Sequence, residues 1–363
     1  MSAVLAEPVQ ASGGADAGTS TAVVLLGTGT VGAAFLRLLD TPAAVTLRLV
    51  GIANSRRQTV ASKHLVRRAL RRNLDRIGNA RDDGALLDAL DGACCRRVIV
   101  DATASQDVAT CHAGWLRAGY HVVTANKAAV GGRLADWRAV EEARQVAAIG
   151  YGDSATVGAG LPVVATARRL RACGDRVRKI EGVFSGSLSW LFNASHEGRP
   201  FSTLLLQARA LGYTEPDPRV DLSGLDVARK LLILARNAGY PLRRDDVEVD
   251  DLVPPELKSV TLDEFLARAG ELDAPMAQRQ AEATARGGVL RHMADFTSDG
   301  HAAVGLRVVP REHPAAGLHG TDNLFAFRSD CYRASPLLIQ GPGAGAEVTA
   351  QALLADVLAL SGA

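Results

Sequence analysis

Two patterns of apolar residues divide the chain. In its first part, continuous apolar runs at residues 21–26 (TAVVLL), 46–53 (TLRLVGIA), 97–102 (RVIVDA) and 121–124 (HVVT) alternate with stretches of helical periodicity. Such runs mark strands buried on both faces, the condition of a parallel sheet covered by helices. Residues 146–152 read as one more such strand, and residues 62–90 as a basic amphipathic helical stretch with a solvated charged face. Later the pattern changes. Helices at 163–171 and 261–286 and a strand at 179–185 accompany strands at 289–296, 302–309 and 324–328, the first two of these joined near Asp299 and Gly300. This part predicts helices with an antiparallel or mixed sheet. A strand at 337–339, a glycine-rich loop at 341–345 and a helix at 348–360 follow, and this strand-to-helix turn predicts that the last element packs back on the first sheet.

Residues 27–32 read GTGTVG and stand between the first strand and a helix over 33–39. Strand, glycine turn, helix is the order a dinucleotide fingerprint requires. Gly27, Gly29 and Gly32 permit a tight turn and close backbone approach, and the helix N-terminus faces a pyrophosphate. The fold class expected is therefore α/β. It has a Rossmann-type parallel-sheet nucleotide domain, residues 21–162 plus 336–363, around an inserted α+β substrate and dimerisation domain, residues 163–335. After the second strand the chain reads Asn54, Ser55, Arg56, Arg57, with no acid to hold a ribose 2′-hydroxyl. Arginine accommodates a 2′-phosphate, so NADP is expected over NAD. Thr103, Ser105 and Lys127 follow the strands at 97–102 and 121–124, and in a parallel sheet ligands sit outside those carboxyl ends.

The stretch with the most chemistry is 212–236, GYTEPDPRVDLSGLDVARKLLILAR. Pro216 and Pro218 break its first part, so Glu215, Asp217 and Asp221 are expected on irregular backbone. A helix follows, with Ser223 and Asp226 in capping-box positions and Gly239 at its end. Asp226 and Lys230 share one face of it, beside an apolar run that implies burial. Only five of 41 basic residues are lysines: Lys63, Lys127, Lys179, Lys230 and Lys258. An ammonium can give up its proton where a guanidinium cannot, so these are candidates for proton transfer. Residues 154–162 (SATVGAGLP) either ring a cation with their carbonyls or form a plain crossover loop, and Gly186 and Ser187 open a helix whose N–H groups can meet an anion.

Formal net charge is +2 and no apolar run reaches the length of a membrane span, so neither nucleic acid nor membrane is an expected partner. The first 20 residues, rich in Ala, Gly and Ser, read as a disordered tail rather than a signal peptide. Cys94, Cys95, Cys111, Cys173 and Cys331 show no metal or redox spacing, which fits a reduced cytoplasmic protein.

Taken together, the motifs resemble homoserine dehydrogenase, most closely the dehydrogenase half of the bifunctional aspartokinase–homoserine dehydrogenases. They are GTGTVG (27–32), TANK (124–127), TVGAGLP (156–162), FSGSLSW (184–190), GYTEPDPRVDLSGLDVARK (212–230) and GPGAGAEVTA (341–350), in family order. The resemblance implies reversible hydride transfer between L-homoserine and L-aspartate 4-semialdehyde. By motif, it makes Lys230 the general acid/base, places Asp226 beside the reacting oxygen and completes the site with Lys127. Glu215, Asp221, Tyr213 and Ser187 correspond to the substrate-binding groups. Thr28, Thr30, Val31, Thr103, Lys127, Gly212 and Gly345 correspond to cofactor contacts, and Ser154, Val157, Ala159 and Leu161 to the carbonyls that hold a sodium ion. A small amino-acid substrate and a homodimer are implied as partners.

Three departures qualify the match. Val220 stands where the closest relatives carry a second Asp, and Ser154 where relatives often carry an acid, with Asp153 one residue earlier. The sequence includes no kinase half and no regulatory domain, so little threonine inhibition is expected. Two alternatives stand beside the main reading. One is a paralogous dehydrogenase acting on a homoserine-like γ-hydroxy amino acid, which Val220 keeps open. The other is a non-catalytic dinucleotide-binding sensor, against which the joint presence of Lys127, Asp226 and Lys230 argues.

Overall fold

A computed structural model describes residues 20–60, 74–76, 78–93, 96–147, 149–195 and 198–362. The expected tail, residues 62–73 and 77 of the basic stretch, and Cys94 and Cys95 lie outside the described residues. In the described part of that stretch the strand Asn79–Ala80 and the helix Asp83–Asp91 stand in place of one continuous helix. Strands are β1 Thr21–Leu26, β2 Leu47–Ala53, β3 Arg57–Val60, β4 Asn79–Ala80, β5 Arg96–Asp101, β6 His121–Thr124 and β7 Tyr151–Gly152, followed by β8 Val177–Val183, β9 Glu248–Val249, β10 Gly288–Thr297, β11 Ala302–Pro310, β12 Asp322–Ser329 and β13 Leu337–Pro342.

Among the described residues the first sheet runs β4-β3-β2-β1-β5-β6-β7. Its five strands from β2 to β7 are parallel, and β3 and β4 add an antiparallel edge. All six residues of β1 are buried, which explains its unbroken apolar run. Leu26 lies opposite both Ala53 and Asp101, and Asp101 opposite Thr124. The carboxyl ends of four strands are therefore level, and the turns at Gly27, Asn54, Thr103 and Asn126 leave from one edge. Chain order reverses between β1 and β5, which is where such sheets open a crevice.

The second sheet runs β13-β12-β8-β10-β11-β9, antiparallel except for the β11–β9 pair. The helix Leu225–Asn237 packs on it and on the helix Val163–Ala172, and carries ten buried residues. Two expectations change here. β13 pairs with β12 from Asp322↔Pro342 to Phe327↔Leu337, so the strand assigned to the nucleotide domain belongs to the second sheet. Its alternating exposure is that of an edge strand, not of a central parallel one. The strand expected at 146–152 reduces to Tyr151–Gly152, because the helix Leu134–Ala147 continues through Val146, which is exposed.

Only the helix Ala346–Ser361 returns to the first sheet. It buries Ala350, Leu353, Leu354 and Val357 against the helix Thr30–Leu38 and the sheet. Asp356 fastens it by accepting from Ser154 N at 3.0 Å and Ser154 Oγ at 2.8 Å. Burial nevertheless pushes the Asp356 carboxyl up to about 6, against the pull of the two Ser154 bonds. An unfolded Asp titrates near about 4. Between those values the folded chain holds the extra proton, so stability falls as pH rises through this window. In Asp356→Asn that slope should vanish: the melting temperature of the variant relative to the parent should rise from pH 4 to pH 7.5. A constant difference across this range would contradict the argument.

Candidate active site

The glycine turn after β1 has the shape a phosphate needs. Gly27 has φ 95°, and a β-carbon there would lie 2.7 Å from Ala102 O. One on Gly32 would meet Gly27 O at 1.9 Å, so this glycine lets helix and turn pack tightly. Nothing lies within 4 Å of a β-carbon on Gly29, so that face is open. Thr28, Thr30 and Val31 flank it at the start of the helix Thr30–Leu38, whose N-terminus bears no acid. Backbone N–H groups, open space and a positive helix end fit a pyrophosphate.

At the end of β2, Asn54 Oδ1 accepts from Arg56 N at 2.8 Å and Arg57 N at 2.7 Å, closing a turn that places both arginines at the surface. The Arg57 guanidinium donates to Gly78 O at 3.2 Å, so Arg56 is the freer of the two. Arg81, not picked out from sequence, donates to Asn54 O at 3.4 Å and pairs with Asp83. It arrives through the β3–β4 edge, which no apolar run announced.

Beneath the next two turns lies a buried polar network centred on Asp101. Its carboxylate accepts from Thr103 N at 2.9 Å, Thr103 Oγ1 at 2.7 Å and Asn126 Nδ2 at 3.0 Å. His112 Nε2 lies 3.0 Å from Asp101 Oδ2, and His112 Nδ1 lies 3.0 Å from the Tyr151 hydroxyl. Burial raises the Tyr151 phenol well above its ordinary value, so it remains a donor. Asn126 Nδ2 also donates to Ser105 O at 2.8 Å, and Ser105 Oγ caps the helix Gln106–Arg117. Asn126 therefore ties the Thr103 turn to the Lys127 turn. Sequence reasoning passed over Asp101, His112, Asn126 and Tyr151, although Asn126 stands inside the TANK motif.

Lys127 meets the helix Leu225–Asn237 at Asp226. Lys127 Nζ is 3.2 Å from Asp226 Oδ1, and Lys230 Nζ is 3.0 Å from Asp226 Oδ2. Lys230 is buried and also donates to Phe184 O at 2.7 Å. Burial alone would raise the Asp226 carboxyl, but the Lys230 and Lys127 ammoniums outweigh it and hold it well below the usual carboxylate range. The far end of the same helix is fixed by Arg236, which donates to Val130 O at 2.7 Å and Gly132 O at 3.0 Å. The expected capping box does not form. A short helix, Arg219–Leu222, precedes Gly224 at φ 69°, and Ser223 Oγ donates to Val220 O instead.

The acids of the preceding segment separate. Asp221 accepts from Ser187 Oγ at 2.6 Å and Glu215 N at 2.8 Å, and burial raises its carboxyl against those two bonds. Asp217 is paired with Arg219. Glu215 is exposed, and Tyr213 lies against Trp190 with ring centroids 5.5 Å apart. Gly212 adopts φ 72°, and Gly345, at φ 129°, leads into the helix Ala346–Ser361. Val220 is exposed and lines a cavity of about 490 Å³ with Leu225, Val253 and Asp226. Ser154, Val157, Ala159 and Leu161 share one turn, tightened by Leu161 N donating to Gly158 O at 2.9 Å, with Ala159 at φ 51°. Asp153 beside it is paired with Arg168 at 2.6 Å.

A family model described as homoserine dehydrogenase matches residues 162–358, and one described as the NAD-binding domain of homoserine dehydrogenase matches residues 27–149. The chain belongs to the homoserine dehydrogenase family. The chloroplastic bifunctional aspartokinase/homoserine dehydrogenase 1 of Zea mays is 40% identical over 362 residues, covering 94% of this chain and 38% of that protein. Homoserine dehydrogenase of Emericella nidulans is 41% identical over 276 residues, covering 72% of this chain and 75% of that protein. A crystal structure of a Candida auris protein of unknown function matches with a TM-score of 0.88 at 35% identity, covering 94% of this chain and 98% of the other. The chain spans about two fifths of the length of its bifunctional relatives. The match over residues 27–149 contains Lys127 and the match over residues 162–358 contains Asp226 and Lys230, so the Lys127–Asp226 ion pair joins the two parts.

Because the buried Asn126 amide supplies bonds to both turns, Asn126→Ala should destabilise the fold by about 2 kcal/mol, the range for stranding buried partners. Urea unfolding of variant and parent measures this, and a difference below about 0.5 kcal/mol would remove Asn126 as the tie.

Proposed function

We propose that the chain interconverts L-homoserine and L-aspartate 4-semialdehyde by NADP(H)-dependent hydride transfer, with Lys230 as acid/base. The observation that carries this reading is the Asp226 carboxylate held between Lys230 and Lys127 at the edge where the glycine turn opens. The groups at that turn fit a dinucleotide, which when bound supplies the hydride acceptor or donor.

In the oxidative direction the substrate alcohol loses a hydride from carbon and a proton from oxygen. Lys230 Nζ, as the neutral amine, takes the proton and becomes the ammonium, and in the reverse direction the ammonium returns it to the carbonyl oxygen as hydride arrives at carbon. Asp226 holds the amine in place, and Lys127 offsets the charge of that carboxylate. The substrate ammonium meets Asp221 and Glu215, with Tyr213 and Ser187 beside them. Cofactor contacts come from residues 27–32, Thr103, Ser105, Lys127, Gly212 and Gly345. Arg56 supplies the cation for a 2′-phosphate, with Arg57 behind it on Gly78 O. A sodium ion on the carbonyls of Ser154, Val157, Ala159 and Leu161 belongs to the same reading. Those donors are uncharged oxygens, and the nearby Asp153 already has Arg168 as its counter-charge. Homodimer formation completes the proposal, with β13 at the sheet edge available for pairing.

Lys230→Ala should lower turnover roughly 10²–10⁴-fold, measured as NADPH oxidation with aspartate semialdehyde, while the NADPH dissociation constant stays near the parent's. Near-normal turnover would refute the acid/base role. Arg56→Ala should lower the preference for NADPH over NADH in the same assay by about tenfold, one charge-assisted contact's worth. An unchanged preference would refute the role of Arg56.

A further inference from the structure

Asn323 in β12 is fully buried, and neither its Oδ1 nor its Nδ2 has a hydrogen-bond partner among the described residues. Buried amides are nearly always paired, so an orphaned one calls for a partner that arrives. Its position is informative. Two residues along the same face of β12, Phe325 stacks on Phe184 with centroids 4.5 Å apart, and Phe184 O receives the Lys230 ammonium. A β-carbon on Gly186 would lie 3.7 Å from Asn323 Oδ1, and one on Gly343 would lie 2.5 Å from Asn323 Nδ2. The amide is thus set between the start of the helix Gly186–Ala194 and the glycine-rich loop at 341–345.

That helix start is rich in donors. Ser185 Oγ caps Leu188 N, whereas Gly186 N and Ser187 N have no acceptor among the described residues. Two free N–H groups and the positive end of a nine-residue helix favour an anion. On the other side, Ser187 Oγ donates to Asp221, whose carboxylate suits a cation. Donors on one side and a carboxylate on the other match the two charges of an amino-acid zwitterion.

We propose that Asn323 is a positioning residue for the carboxylate of the amino-acid substrate, an inference that rests on the function proposed above. Gly343 lies over the amide and comes so close because it has no side chain. In the structure Oδ1 is on the Gly186 side and Nδ2 on the Gly343 side. A shift of the 341–345 loop gives the amide room to turn over, so that Nδ2 donates to one carboxylate oxygen while Gly186 N and Ser187 N serve the other. Asn323 Oδ1 then accepts from a main-chain N–H of the shifted loop. Substrate carboxylate binding and the loop that leads into the returning helix are in this way coupled through one side chain.

The test uses Asn323→Leu, similar in size without polar atoms, and Asn323→Asp, which sets a negative charge in the cradle. The KM for homoserine should rise about tenfold in the first, the effect of one hydrogen bond to a charged group, and further in the second. The NADPH dissociation constant, from quenching of intrinsic fluorescence, and the melting temperature should stay near the parent's in Asn323→Leu. A homoserine KM within twofold of the parent's in both variants would overturn the proposal. Parallel loss of NADPH affinity or of folding in both would make Asn323 a structural residue and overturn it equally. A parent that does not oxidise homoserine would instead refute the function itself, so the two failures are distinguishable.

Discussion

One carboxylate shared by two ammonium groups is the constraint on which the rest of the site depends. Asp226 meets Lys230 within its own helix and Lys127 from the turn after β6. The first contact is local, four residues apart on one face, and alone would stabilise the helix only slightly. The second joins segments far apart in sequence and requires both to be held in register. Three charges of which two are alike do not arrange themselves. They need a backbone that leaves them few alternatives, and most of the buried polar groups nearby supply it.

That backbone is fixed at several points. Asn126 and Asp101 lock the turn bearing Lys127, Arg236 fastens the far end of the Asp226 helix to Val130 and Gly132, and Gly224 at φ 69° starts that helix sharply. A β-carbon at Gly224 would crowd Val249 at 3.2 Å, so the helix start lies close against the second sheet. Phe184 acts from the same sheet: its carbonyl aims Lys230, and its ring rests on Phe325. An aromatic pair of this kind adds about 0.5–1.5 kcal/mol beyond its buried area. The second sheet therefore both buries apolar surface and directs the amine toward the carboxylate.

Much of this was legible in the residues themselves. The strands from β1 to β6 in the parallel set announced themselves as continuous apolar runs, and the glycine turn by its spacing. Asp226 and Lys230 followed from helical periodicity, and Lys127 from the scarcity of lysine. What stayed hidden has a common physical character. The capping box failed because Pro218 begins a short helix that takes over the Ser223 hydroxyl, a competition decided by four residues. β3 and β4 are short strands at the sheet edge without a periodic signature, so nothing in the sequence brings Arg81 beside Asn54. Asp101 and His112 look like an ordinary strand end and an ordinary helix residue, and they become a network only through tertiary contact. The apolar residues of β13 fit either sheet, and only pairing with β12 decides between them.

The helix Ala346–Ser361 has a consequence for biogenesis. It covers apolar surface of a sheet whose last strand ends at Gly152, so nearly the whole second unit is translated between the surface and its cover. At ribosomal speeds of roughly 5–20 residues per second, that interval is on the order of 10–40 seconds. During it the nascent sheet exposes the groove that will receive Leu353 and Val357. A ribosome stalled before residue 346 would therefore display this apolar face of the sheet uncovered.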